Sequence, residues 1–425
     1  MNDDEKALKR DIGFFGSAFL SFNGVVGAGI FALPAVLYTQ FGAFSPWLFP
    51  LFGLLVLVVA VPFSRVAAHH PVSGGPVVYA ATFGPAASFQ AGWIYYVARS
   101  TALAANANVL ITYLATLWAP LAEGVLRAVT IVTLIAAITF LNIVGVKRAV
   151  RVLDALTLLK AAPLLFVAIL GLVVAGGSIQ PPSGLPPITE LETAALLILY
   201  AFVGFENSVV LAGETTNPQR TIPRALIATI FTTAGLYFLV QLSYVAVMEP
   251  GAGGDAPMVT FGTVLMGPAG GLLLTATAVF SLLGNISGGM TGTTRTTYAM
   301  GRDGLLPAWF GRVSERHATP ANSIMFMGAL IAVLALTGSF VWLAVVSTLA
   351  RMIVYSISIA SLPTKERGKP LIWLMVVAAI AVCVYAASKT AWPSWRMLLI
   401  LVAAGGGLYL YARFRRVGTR ESNPS

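Results

Sequence analysis

Twelve stretches of about 20 mostly apolar residues, the length a helix needs to cross a bilayer, follow one another along this chain. Their approximate bounds are 12–37, 43–67, 84–117, 124–145, 152–175, 192–212, 223–249, 270–300, 321–338, 340–361, 371–388 and 394–414. Only 10% of the 425 residues are charged and 57% are hydrophobic, against about 25% charged in an ordinary soluble chain. The pattern predicts an all-α integral membrane protein with one multi-pass domain over 12–414 and short polar tails at 1–11 and 415–425. Met1–Asp11 is charged, and no small-residue cleavage site follows a short apolar core, so no signal peptide is expected.

Basic residues are distributed unevenly among the connections. With the N-terminus inside, the inner segments hold Lys6, Lys9, Arg10, Arg65, Lys147, Arg148, Arg151, Arg220, Arg224, Arg302, Arg312, Arg316, Lys365, Arg367, Lys369, Arg413, Arg415, Arg416 and Arg420. The outer segments hold only Arg127, Lys389 and Arg396. Cytoplasmic loops carry the Lys/Arg excess, so both termini are expected in the cytoplasm of a plasma-membrane protein. The net charge of +10 is then a topology signal with some attraction for anionic lipid, not a nucleic-acid footprint. Cys383 is the single cysteine and lies in an apolar run, which leaves no disulfide framework and no cysteine metal cluster. His69, His70 and His317 give no metal-ligand spacing. No nucleophile–base set, metal cluster or phosphate loop marks an enzyme, and no charged ring or polar pore repeat marks a channel. No catalytic residue, metal or cofactor is expected.

The first apolar stretch is interrupted by Asn23-Gly24-Val25-Val26-Gly27-Ala28-Gly29. Each glycine weakens a helix by roughly 1 kcal/mol relative to alanine. Within hydrocarbon such backbone is tolerated only where it lines a cavity or packs on protein. The sixth stretch repeats the oddity in Tyr200-Ala201-Phe202-Val203-Gly204-Phe205-Glu206-Asn207-Ser208. Five spans separate the two, and an odd offset inverts direction across the membrane. Interrupted helices at matching positions of two halves point to an inverted-repeat transporter and to its binding site. Packing contacts between small residues would explain one such run but not the pair with an acid in the second.

With these breaks in view, the chain resembles the amino acid–polyamine–organocation (APC) superfamily. Four stretches carry the resemblance: Gly24–Phe31, Tyr200–Glu206, the loop Gly213-Glu214-Thr215-Thr216-Asn217-Pro218-Gln219-Arg220-Thr221-Ile222-Pro223-Arg224, and Arg295 through Arg302-Asp303-Gly304-Leu305-Leu306-Pro307 to Thr319-Pro320. The resemblance implies the leucine-transporter-like 5+5 inverted repeat, with repeat one over 12–175, repeat two over 192–361, and helices eleven and twelve over 371–414 outside it. It also implies that substrate contacts fall at the two breaks and places Met290 beside the substrate side chain.

An amino acid brings a carboxylate and an ammonium. The N–H groups of Ala28, Gly29 and Ile30, at the restart of helix one after Gly27, suit the carboxylate. Carbonyls near Val25, Tyr200, Ala201 and Val203 suit the ammonium. Five ionisable side chains, Arg99, Lys160, Glu206, Arg295 and Arg351, fall inside the expected spans away from their ends, and each needs a cavity, a partner or the interface. Lys160 lies nine residues beyond Arg151, about 13.5 Å deep, where desolvation disfavours its charged form. In proton-coupled relatives a lysine at this position of helix five takes the place of a sodium ion, so Lys160 is the expected proton-coupling group, with a snorkelling or structural cation as the alternative. Glu206 is a proton carrier, an outer-gate element or a structural acceptor. Arg99 binds an acidic substrate side chain, points away from the site or, by default, pairs with Glu206. Arg295 is expected at carbonyls or the inner gate, and Arg351 receives no role.

Together these features predict secondary transport of amino acids by alternating access, as proton-coupled symport of small or medium neutral amino acids. An exchanger or exporter of the same fold, independent of sodium and protons, is the alternative. Hydroxyls of Ser287, Thr291, Thr293 and Thr294 could ligate a hard cation, but the charge of Lys160 disfavours sodium. The expected partners are the amino acid and the lipid bilayer, with no nucleic acid and no obligate protein partner.

Overall fold

The computed structural model describes residues 10–421, apart from 72–73, 146–148, 178–180 and 183; for 149–158, 210 and 415–421 the backbone alone is described. Lys6, Lys9, Lys147 and Arg148 of the orientation argument therefore lie outside the described residues, as do the side chains of Arg151, Arg415, Arg416 and Arg420. Regular structure among the described residues is helical, with one isolated bridge between Ile12 and Thr215.

The order is α1 (Phe14–Val25), α2 (Ala28–Phe41), α3 (Leu48–His69), α4 (Pro76–Ala80), α5 (Pro85–Ala115), α6 (Gly124–Val144), α7 (Ala149–Val174), α8 (Ile188–Tyr200) and α9 (Asn207–Val210). It continues with α10 (Pro218–Val247), α11 (Pro257–Met266), α12 (Pro268–Arg302), α13 (Ala321–Thr337), α14 (Phe340–Ala360), α15 (Leu362–Lys365), α16 (Pro370–Ser388) and α17 (Trp392–Glu421). Proline at the first helical position begins three of the longest helices, α5, α10 and α12, each after a positive-φ residue: Gly84, Asn217 and Gly267. Proline loses nothing there, because its missing N–H would have no intrahelical partner.

Seven helical stretches among the described residues are long and apolar enough to cross a membrane, from Ala28–His69 to Trp392–Phe414. Polar residues disguise α5. Every residue from Ala91 to Ile111 is buried, including Arg99, Asn106 and Asn108. A helix buried all round stands at the centre of a bundle, and α12 and α14 make their largest contacts with α5 and pack there. On the outside, Val125, Phe140, Val173, Leu374 and Trp373 are exposed, the apolar surface a bilayer requires.

Several expected bounds shift. The apolar run before residue 270 folds as α11, hairpinned onto α12 where Gly262 and Gly270 meet backbone to backbone. Around Gly338, α13 ends at Thr337 and Ser339 caps α14 through the Trp342 N–H. The first expected span is split into α1 and α2. The sixth becomes α8, a run of turns over 201–206, and α9.

Candidate functional site at the paired helix breaks

The two interruptions touch. A Cβ on Gly24 would stand 2.6 Å from the Gly204 carbonyl oxygen, and one on Gly204 would stand 2.3 Å from that of Gly24. Only glycine permits this approach, and Gly204 also adopts φ +112, which side chains disfavour. Ser21 reinforces the junction by donating from its hydroxyl to Ser208 at 2.9 Å.

At the first break the freed backbone is held by polar side chains. The Ala28 N–H donates to Asn106 Oδ1 at 2.9 Å, and Asn106 Nδ2 donates to Asn285 Oδ1 at 2.8 Å. Asn285 Nδ2 reaches the carbonyls of Asn23 at 2.8 Å and Gly24 at 3.1 Å. This asparagine pair, from α5 and α12, clasps both ends of the interruption. Lys160, 1% exposed, donates to Asn23 O at 3.2 Å, Asn23 Oδ1 at 2.5 Å and Val26 O at 3.1 Å. Ser281 of α12 shares the Val26 carbonyl at 3.2 Å, and Tyr237 reaches Val25 O at 3.3 Å. Three acceptors match the three N–H groups of an ammonium.

At the second break Glu206 accepts from Arg351 Nε at 2.9 Å, Tyr355 OH at 2.9 Å and the Gly204 N–H at 2.9 Å. Arg351 also donates to Ala98 O at 3.0 Å and Ser347 Oγ at 2.5 Å. The pair is 0% and 1% exposed. The expected Arg99–Glu206 ion pair does not form, because Arg351, for which sequence gave no role, takes the carboxylate. The turn carbonyls of Ala201, Phe202 and Val203 accept no hydrogen bond among the described residues.

Two adjoining cavities share Gly24, Arg99 and Asn285. One, of about 10 Å³, is lined by Val25, Gly27, Ala28, Gly29, Tyr200 and Val203. The other, of about 60 Å³, runs along α1 and α12 past Asn23, Tyr95, Asn207 and Gly289. Of the residues expected to bind substrate, Val25, Gly27, Ala28, Gly29, Tyr200 and Val203 are thus brought together. Ile30 and Ala201 are buried behind them, with Ala201 Cα 3.2 Å from where a Gly29 Cβ would lie. Met290 is buried but lines neither cavity; its neighbour Gly289 lines the larger one. Lys160 and Glu206 stand behind the wall. Asn106, Asn285, Asn23 and Asn207 line these cavities too, and the sequence analysis assigns them no role. Their signal was an amide inside an apolar helix, which needs a partner as much as a charge does.

Arg295 meets the Glu214 carboxylate at 3.1 Å instead of backbone carbonyls. That places the loop after the second break beside the end of α12, and Ile12 pairs with the same loop through the Glu214 carbonyl and Thr216 N–H. Thr291 and Thr294 turn their hydroxyls to carbonyls of their own helix, Ser287 and Met290, so they do not converge with Lys160. Among the described residues no group of three or more His, Cys, Asp or Glu side chains is placed to hold a metal ion. At one end of α3, Arg65 grips Glu366 through both carboxylate oxygens, at 3.0 and 2.6 Å. His69 and Lys369 add contacts at 3.2 and 3.3 Å. The Arg65 hydrogen bonds, with His69 and Lys369 behind them, hold the Glu366 carboxyl down at about 2.

Two broken helices meet at glycine around a buried polar cluster in a multi-pass membrane protein, with bare backbone and polar side chains together lining the candidate site. The chain belongs to the amino acid permease family, whose model matches residues 12–404. Members of this family are transporters, not enzymes, and amino acid transport is the activity that membership gives the chain. The chain is similar to an uncharacterized transporter of Mycobacterium bovis, 29% identical over 98% of this chain and 93% of the relative. It is also similar to the branched-chain amino acid permease BcaP of Bacillus subtilis, 27% identical over 96% and 94%. A cadaverine/lysine antiporter of Escherichia coli is 27% identical over 77% and 74%.

Proposed function

We propose that this chain moves an amino acid by alternating access around the two breaks, with a proton as the coupling ion. The observation that carries the reading is Lys160. Its ammonium gives all three N–H groups to Asn23 and Val26, the residues that end α1 at the interruption. Loss of the proton removes one donor and releases part of that grip, so protonation and the shape of the break change together. Sodium is not required, because a cation already stands at the carbonyls it would use.

The substrate carboxylate is assigned to the start of α2 at Ala28–Ile30, where a helix N-terminus favours an anion. Binding displaces Asn106 from the Ala28 N–H. The ammonium is assigned to the free turn carbonyls of Ala201 and Val203. Glu206 is assigned to fixing the second break through Arg351 and Tyr355, not to carrying protons. The frame for these motions is the 5+5 inverted repeat over 12–175 and 192–361 with twelve spans and both termini cytoplasmic. The contact of the breaks at Gly24 and Gly204 and the Lys/Arg distribution support it. An exchanger is the second reading, favoured by the antiporter among the relatives. Uptake into proteoliposomes with and without an imposed pH gradient decides between them: symport accumulates substrate only with the gradient, and uptake indifferent to it overturns proton coupling.

A further inference from the structure

We propose that Arg99 is the anchor for an acidic group on the substrate side chain, so that the transported amino acid is of the aspartate or glutamate class. The proposal rests on the reading of the paired breaks as an amino-acid site. It replaces the neutral substrate expected from the sequence.

Arg99 is 3% exposed and lines both cavities at the breaks. Among the described residues it enters no ion pair or hydrogen bond, and its Nε is buried without a partner. A guanidinium always carries its charge, and one taken from water without a counter-charge is strongly unfavourable. Glu206 lies within electrostatic reach of Arg99, but its carboxylate is held by Arg351, Tyr355 and the Gly204 N–H, which leaves the guanidinium without a contact partner among the described residues. The missing partner is therefore supplied from the cavity.

The wall is shaped for this group. A Cβ on Gly289 would stand 2.8 Å from Arg99 Nη2, so any larger residue there would push the guanidinium aside. Gly288 and Gly292 continue the open face along α12, and Tyr95 lies one turn before Arg99 on the cavity side of α5. Arg99, Ala102 and Asn106 fall at i, i+3 and i+7 on one face of α5, and all three line the smaller cavity. Asn106 marks the carboxylate site at Ala28, and Arg99 lies two turns away along the same stripe. One end of the stripe takes the α-carboxylate and the other takes the side-chain carboxylate, which a planar guanidinium can hold by two parallel hydrogen bonds.

The test compares each acid with its uncharged amide isostere. Affinities of purified full-length protein are measured for glutamate, glutamine, aspartate, asparagine and leucine, on wild type, Arg99→Gln and Arg99→Lys. Wild type is expected to bind an acid roughly 10- to 100-fold more tightly than its amide, the range for one charge-assisted hydrogen-bonding site. Arg99→Gln collapses the ratio toward one, and Arg99→Lys keeps part of it. Amides or leucine binding as well as the acids in wild type overturns the proposal while leaving the amino-acid site standing. So does an Arg99→Gln variant that weakens acid and amide equally, which would assign Arg99 to the α-carboxylate. Binding of no amino acid overturns both readings. If Arg99→Gln does not fold, the wild-type ratio decides alone.

Discussion

Gly204→Ala concentrates the account into one methyl group. At φ +112 a side chain adds about 1–2 kcal/mol of backbone strain. The new Cβ would lie 2.3 Å from Gly24 O and 2.4 Å from Gly24 C, and these are backbone atoms fixed by Asn285. Relief requires the breaks to part, and overpacking of this kind adds about 1–3 kcal/mol. The total, about 2–5 kcal/mol, should lower the melting temperature of the detergent-solubilised protein by several degrees and weaken amino-acid binding, because α2 and the 201–206 turns no longer meet. Gly235→Ala is the matched control. It sits inside α10 with nothing within 4 Å of its Cβ position, and should be neutral or stabilising by up to about 1 kcal/mol. Equal melting temperatures and equal affinities for the two variants would refute the claim that the breaks depend on glycine contact.

Glu206→Gln leaves Arg351 charged and buried without its counter-ion, a loss of about 3–5 kcal/mol; thermal melting should show it, and Glu206→Leu with Arg351→Met should melt higher than the sum of the single changes predicts. Lys160→Ala should abolish concentrative uptake driven by a pH gradient; a variant that remains fully concentrative excludes Lys160 as the coupling group. Glu366 is held at about 2 in the folded protein, below the ordinary carboxylate value of about 4.3, so its contribution is complete above about 4.3 and is lost as pH falls toward 2. Melting temperature should therefore drop more steeply over that interval in wild type than in Glu366→Gln, and parallel curves would deny the cluster a role.

Both breaks were legible in the sequence because glycine inside an apolar stretch has few explanations in a membrane. Lys160 was legible for the same reason, as a charge too deep to reach water. What sequence could not supply was pairing. Arg99, Arg351 and Glu206 were all visible as buried charges, but which arginine takes the carboxylate depends on how α5 and α14 rotate about their axes. The asparagine clasp escaped because Asn106 and Asn285 are 179 residues apart and neither alone announces a partner. Gly289 lines the larger cavity and Met290 beside it does not, and a rotation of about 100° per residue is below what sequence spacing resolves. The short α11 lies outside the expected spans because its ten residues are too few to cross a bilayer.

The most direct measurement is a structure of the full-length protein with a transported amino acid bound. The account predicts the α-carboxylate on the N–H groups of Ala28, Gly29 and Ile30, with Asn106 displaced from Ala28, and the ammonium on the carbonyls of Ala201 and Val203. A substrate resting against neither break would contradict it.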